Sequence, residues 1–298
     1  MTVEGRDFPG PPIGPLRPTW TGRAFRVGDR EVRVLEYGDA HSGWSEGLTD
    51  FHEASAGTNH PIDEMSRQWA IAATARHAPH AAPTILEVGS SSGFLLPALQ
   101  RALPQARLIG SDYLAAPLAR IAERTPGIPL LQFDLVTCPL PDACADIVIL
   151  LNVLEHIEDD RTAARQVARL LKPGGVAIVE LPAGPHLYDL YDEYLKHHRR
   201  YTAADVRALL AQAGLDIREQ SHLGCLVYPT FVAVKRRNQR HAPSTDEERR
   251  RVVQTDIGQT RHSRLLRACL AFEAWLGRYV SYPIGIRVVT VAQKPGTR

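Results

Sequence analysis

The chain has 298 residues, 44% of them hydrophobic and 23% charged, proportions that support a sizeable core and exclude wholesale disorder. Its 35 Lys and Arg nearly balance 33 Asp and Glu, for a formal net charge of +2, so no general field gathers nucleic acid and none is expected as a partner. Cys138, Cys144, Cys225 and Cys269 are too scattered for a zinc-ligand set or a disulfide framework, which leaves no metal expected and a reducing cytoplasm as the simplest compartment.

Residues up to about Thr21 are rich in proline and glycine and are expected to lack fixed structure. They contain no apolar run of the kind a signal peptide needs, and no stretch approaches the roughly 20 apolar residues of a membrane span, so a soluble protein is expected. Phe25 and Val27, then Gly28-Asp29, then Val32, Val34 and Leu35 read as a short hairpin appended to the main fold. Ile62, Met65, Trp69 and Ala72 or Ala73 recur at helical spacing up to His77, with Pro61 suited to the first turn.

Strand and helix signals then alternate. Strands are expected at Thr84 to Val88, Ala106 to Gly110, Pro129 to Phe133, Ala145 to Leu151, Val176 to Leu181 and Asp216 to Ser221. Helices are expected at Phe94 to Leu103, Leu114 to Arg124, Arg161 to Leu171 and Ala203 to Ala213. Such short apolar strands suit a parallel sheet covered on both faces, with Ile147 to Leu151 at its centre. A last strand, 285–293, is separated from Ser221 by an insertion. That insertion holds the basic run Lys235, Arg236, Arg237, Arg240, Arg249, Arg250 and Arg251, read as solvated, and a helix from Ser263 to Tyr279. Leu265, Leu266, Cys269, Phe272, Leu276 and Tyr279 fall on one side of it. The expected units are a 1–60 extension, a 61–222 core, a 223–284 insertion or lid, and 285–298 as final strand and tail.

The chemistry is expected where strand Ile85-Leu86-Glu87-Val88 runs into Gly89-Ser90-Ser91-Ser92-Gly93 and then a helix, because ligands bind at the carboxyl ends of doubly wound sheets. A dinucleotide fingerprint needs glycines where this chain has Ser91 and Phe94. Glu87 would also repel a phosphate while suiting the ammonium of an amino acid. Asp112 follows the next strand and could accept hydrogen bonds from ribose hydroxyls. Asp134, after a third, could take an adenine amino group, with Leu135 covering the ring; the blander reading of such an Asp is a turn former.

These residues, with Leu151-Asn152-Val153-Leu154-Glu155-His156-Ile157 and Leu170-Leu171-Lys172-Pro173-Gly174-Gly175, resemble the class I S-adenosylmethionine (SAM)-dependent methyltransferases with small-molecule, quinone and lipid acceptors. The resemblance implies a doubly wound, Rossmann-like α/β fold whose seven-stranded sheet ends in an antiparallel strand, SAM as cofactor, and Glu87, Gly89, Ser90, Ser91, Gly93, Asp112, Tyr113, Asp134, Leu135 and Asn152 around it. The family usually has glycine at Ser91, and a serine there restricts the loop.

No universal catalyst transfers with the resemblance, since in-line methyl transfer depends mainly on positioning. Candidates on the acceptor side are His156, for which structural support is the blander reading, and Tyr191, His197 and His198, within an aromatic and basic stretch for which a surface helix ending near a cap at Thr202 is the alternative. Trp44, His52 and His60 are a further candidate wall, with loop packing as the favoured alternative. The function expected is methyl transfer to O, N or C of a small molecule, in specialised metabolism. The alternatives are a membrane-associated enzyme acting on a lipid-linked acceptor and a SAM-binding protein without catalysis. Peripheral membrane contact and homodimerisation stay open.

Overall fold

A computed structural model describes residues 6–7, 13, 16–38, 60–91, 93–240, 247–248, 251, 255 and 263–296. Strands β1 (Arg6–Asp7), β2 (Thr19–Trp20), β3 (Phe25–Val27) and β4 (Arg30–Val32) pair in that order into a small antiparallel sheet. The larger sheet contains β5 (Val34–Glu36), β6 (Thr84–Val88), β7 (Arg107–Asp112), β8 (Leu130–Gln132), β9 (Ala145–Leu151), β10 (Leu171–Pro182), β11 (Asp216–Leu223) and β12 (Arg287–Gln293). Their spatial order is β11-β12-β10-β9-β6-β7-β8-β5, and only β12 runs antiparallel to its neighbours.

Two expectations for the N-terminal region are corrected. The sheet has eight strands rather than seven, because the chain leaves the hairpin after Val32 and β5 pairs in parallel with β8, Leu35 opposite Leu131 and fully buried. Alternating polarity cannot reveal which strand will be the partner. Thr19 and Trp20, expected to be unstructured, pair with β3, and the Trp20 ring packs 4.7 Å from that of Phe25.

Side chains of the central strands divide between two faces, as a period of two requires. Ile85, Ile147, Ile149 and Ile178 join the apolar faces of α1 (Pro61–His77), α2 (Leu95–Ala102) and α3 (Ala115–Arg124). Leu86, Val88, Val148, Leu150 and Val179 join those of α4 (Asp160–Leu170) and, beyond the short α5 (Leu190–Tyr194), α6 (Ala203–Gln212). Each such fully buried aliphatic side chain contributes roughly 1.5–3 kcal/mol. Thr202 caps α6 through a reciprocal bond pair with Asp205.

The insertion contains α7 (Tyr228–Arg240) and α8 (Arg264–Leu276). The expected apolar side of α8 is only partly covered: Leu266 packs with the buried Leu270 against the core and Glu273 faces inward, whereas Leu265, Phe272 and Tyr279, with Trp275, are between 52% and 75% exposed. Glu273 decides the orientation, its carboxylate accepting the backbone N–H groups of Gly224, Cys225 and Leu226 at 2.7, 3.0 and 2.9 Å. The helix stops at Leu276, short of Tyr279. Lys235, read as solvated, is instead buried in α7. No helix among the described residues is long and apolar enough to cross a membrane.

Candidate active site

The order of strands reverses at β6, which has β7 on one side and β9 on the other. Helices leaving such a point diverge and open a crevice at the carboxyl ends of the strands. The loop after β6 enters it with Gly89, Ser91 and Gly93 at φ +77°, +39° and +68°. A Cβ on Gly89 would lie 2.5 Å from Val153 Cγ2, so glycine is required by close approach as well as by backbone conformation. Ser91 holds an uncommon conformation for a residue with a Cβ, a cost of about 1–3 kcal/mol. Its N–H is fixed by Asp112 Oδ2 at 2.8 Å.

Glu87 and Asp112 stand at the ends of adjoining strands, and both are buried. Burial raises the Glu87 carboxyl to about 8, the neighbouring Asp112 adds to the effect, and a hydrogen bond from Ser90 Oγ at 3.1 Å opposes it. Burial also raises Asp112, against the N–H groups of Leu114 and Ser91. Two buried carboxylates with so little compensation favour a cation and disfavour a diphosphate. This donor set fits SAM: Glu87 would meet its ammonium group. Each Asp112 oxygen, already accepting one backbone N–H, retains a lone pair for a ribose hydroxyl. When bound, SAM supplies an electrophilic methyl on sulfur.

The remaining cofactor candidates are placed less uniformly. Asp134 Oδ1 accepts the Val136 N–H at 2.8 Å, the bond of a turn former, and Leu135 is buried in the core. The Tyr113 carbonyl accepts Gln132 Nε2 at 3.0 Å. Asn152, with φ +54°, turns its amide toward Glu180, donating from Nδ2 at 2.8 Å. Ser92, Trp44 and His52 lie outside the described residues, and His60 stands at the N-cap position of α1.

Beside Asn152 the chain forms a short turn, Leu154–His156, with Leu154 and Glu155 buried. Glu155 is fully buried, and neither of its oxygens accepts a hydrogen bond among the described residues; burial raises its carboxyl to about 8. The His156 and His197 rings meet edge to face at 4.6 Å. His197 Nδ1 is 2.8 Å from Asp192 Oδ1, which also accepts Arg200 Nε at 2.9 Å, while Asp192 Oδ2 accepts Lys235 Nζ at 3.0 Å. Burial pushes Asp192 up, but His197, Lys235 and Arg200 together hold it far below the usual carboxylate range. Burial lowers His197 despite its carboxylate partner, so the ring is neutral near pH 7.

His198 does not join this cluster: the residue is exposed, and its part is the backbone N–H donated to the Glu155 carbonyl at 2.8 Å. Tyr191 is packed under Lys235 Nζ, 5.0 Å from the ring centroid, and burial raises its phenol well above the ordinary value. A second network ties Arg287 to Glu180 at 2.7 Å, Asp63 at 2.6 Å and Ser66 at 2.7 Å. Sequence reasoning assigned no role to Glu155, Glu180, Lys235 or Arg287, and local pattern holds no sign of the partners that each meets. A cleft of about 380 Å³ bounded by Asp160, Arg199, Tyr201 and Asp205 shares no residue with the glycine loop.

Residues 86–179 match the methyltransferase domain family. A probable S-adenosylmethionine-dependent methyltransferase of Mycolicibacterium smegmatis is 32% identical over 140 residues, 45% of this chain and 52% of the relative. The uncharacterized methyltransferase YdaC of Bacillus subtilis is 32% identical over 127 residues, 42% of this chain and 69% of the relative. The chain thus spans about half the length of the first of these relatives and over two thirds of the second. In fold it is similar to the cyclase SpnF, with a TM-score of 0.53 at 16% identity, over 78% of this chain and 81% of that one. On these likenesses the chain belongs to the class I SAM-dependent methyltransferase family.

Proposed function

We propose that the chain transfers the methyl group of SAM to an oxygen, nitrogen or carbon of a small-molecule acceptor. The carrying observation is the pair of buried carboxylates, Glu87 and Asp112, at the switch point of the sheet. Val153, which packs on Gly89, connects that crevice with the turn bearing Glu155 and His156. The acceptor is expected on this side, where Asp192 orients His197. Because a fold of this kind also carries other reactions, the test reads methyl transfer directly. Isotope-labelled SAM is offered with a panel of phenols, alcohols, amines and activated carbon acids, and label in the acceptor is measured with S-adenosylhomocysteine release. Calorimetry with SAM, S-adenosylhomocysteine, NAD and NADP accompanies it. Binding of SAM without either dinucleotide, and labelled product, are expected; failure to bind SAM refutes the reading.

A lipid-linked acceptor is a second reading, favoured by the outer face of α8 and the segment after it. Leu265, Phe272, Trp275 and Tyr279 are exposed there with Arg264, Arg267 and Arg278, and the only acid in 263–284 is the buried Glu273. Aromatic and cationic side chains suit an anionic lipid surface, with Arg264 and Arg278 beside an Arg267 that pairs with the half-exposed Glu64. Co-sedimentation with anionic vesicles that is lost with neutral vesicles or at high salt is the expected result; no co-sedimentation at low salt rejects it.

A further inference from the structure

We infer that Glu155, His156 and His197 are the ligand set of a divalent transition-metal cation. One donor atom from each lies within 4.8 Å of the others. Beyond proximity, Glu155 presents a fully buried carboxylate to which no other described residue donates a hydrogen bond. Buried charge is ordinarily paired or bound to metal, and here no side-chain partner is provided.

His197 is prepared for coordination. Its Nδ1 is engaged by Asp192 at 2.8 Å, which leaves Nε2 as the donor and sets the ring in place. A carboxylate behind a metal-binding imidazole serves the same purpose in metal sites generally. Asp192 is the positioning residue, and its own pairing with Arg200 and Lys235 keeps it ionised.

The neighbouring cations are already engaged, Arg200 and Lys235 with Asp192 and Asp189, and Arg287 with Glu180 and Asp63, and no described cation forms an ion pair with Glu155. Two imidazoles and one carboxylate suit Zn²⁺, Mn²⁺ or Fe²⁺ better than Mg²⁺ or Ca²⁺, which favour all-oxygen sites. Three protein ligands leave a coordination position open, and a hydroxyl bound there loses its proton more readily. The metal site is independent of the methyl-transfer reading; that reading is needed only for the further consequence that the acceptor atom is oxygen.

The test uses the full chain, stripped with EDTA and titrated in the absence of SAM with Zn²⁺ by calorimetry and with Mn²⁺ by electron paramagnetic resonance. One cation per chain is expected, with at least a tenfold loss of affinity in Glu155→Gln and His197→Ala and a roughly 10–100-fold loss in Asp192→Asn. The metal should raise the melting temperature of the natural protein but not of Glu155→Gln, whose neutral amide is compatible with burial and whose folding is checked by circular dichroism. Asp112→Ala should still bind metal even where SAM binding is weakened, which separates failure of this site from failure of the cofactor assignment. Absence of one-to-one uptake by the natural protein, or uptake unchanged in folded Glu155→Gln and His197→Ala, overturns the inference.

Discussion

The Ser91 N–H donates to Asp112 Oδ2 at 2.8 Å, so the left-handed serine and the acid of the neighbouring strand form one unit. Asp112 therefore shapes the loop before any cofactor arrives, and on the proposed reading it would also accept ribose hydroxyls. Asp112→Ala is expected to weaken S-adenosylhomocysteine binding by about 1–3 kcal/mol and to speed hydrogen exchange at Ser91. Natural-protein affinity in a calorimetric titration would remove Asp112 from the cofactor site.

Gly89→Ala places a methyl group against Val153 as well as in an unfavourable backbone region. The contact should cost about 1–3 kcal/mol and the backbone about 1–2 kcal/mol. In denaturant unfolding, Val153→Ala in the same chain should recover the first part and leave the second. If the double variant recovers nothing, steric approach of Val153 is not what excludes a side chain at Gly89.

Burial lifts Glu87 from 4.5 to about 8. Its contribution to stability is therefore fully present below pH 4.5 and declines as pH rises through about 8. An ammonium group beside it favours the ionised form, so SAM affinity should increase with pH toward about 8, with proton release on binding near neutrality. Calorimetry in buffers of different ionisation enthalpy measures that release, and Glu87→Gln should abolish it. Because Glu155 is raised to about 8 as well, the pH dependence of stability should be reduced, not removed, by this variant.

Glu273 holds three backbone N–H groups of the segment entering α7. Glu273→Ala should destabilise the protein by about 1–3 kcal/mol, with hydrogen-exchange protection lost first at Gly224, Cys225 and Leu226. Unchanged protection at those amides would show that the α8 carboxylate does not anchor the insertion.

Arg287→Met leaves Glu180 and Asp63 without their shared cation. Removing one partner of a buried ion pair costs about 3–5 kcal/mol, and a urea denaturation midpoint close to that of the natural protein would contradict this.

How far the sequence could be read depended on the range of the interactions. The strands from Thr84 to Leu151 and the helices between them were legible because burial on both faces writes short apolar runs and helical spacing into neighbouring residues. The Glu87 to Gly93 turn was legible because small residues and a strand-end acid are adjacent in the chain. The rest depended on partners far along it. The identical alternation of Val32, Val34 and Leu35 could not show that β5 would leave its hairpin for β8, and the apolar spacing of α8 could not show that Glu273 would face inward while Leu265 and Phe272 stay exposed.

The amino-acid order by itself determined the alternating α/β pattern, the glycine-containing loop and the series of acids at strand ends, all of which are set by residues within one element and its adjoining turn. Only tertiary structure decided that Lys235 meets Asp189 across 46 residues and Arg287 meets Glu180 across 107. It likewise brought Glu155, His156 and His197 to one point. Buried charges are chosen by whichever opposite charge the completed fold delivers, and that identity is not encoded in any local period.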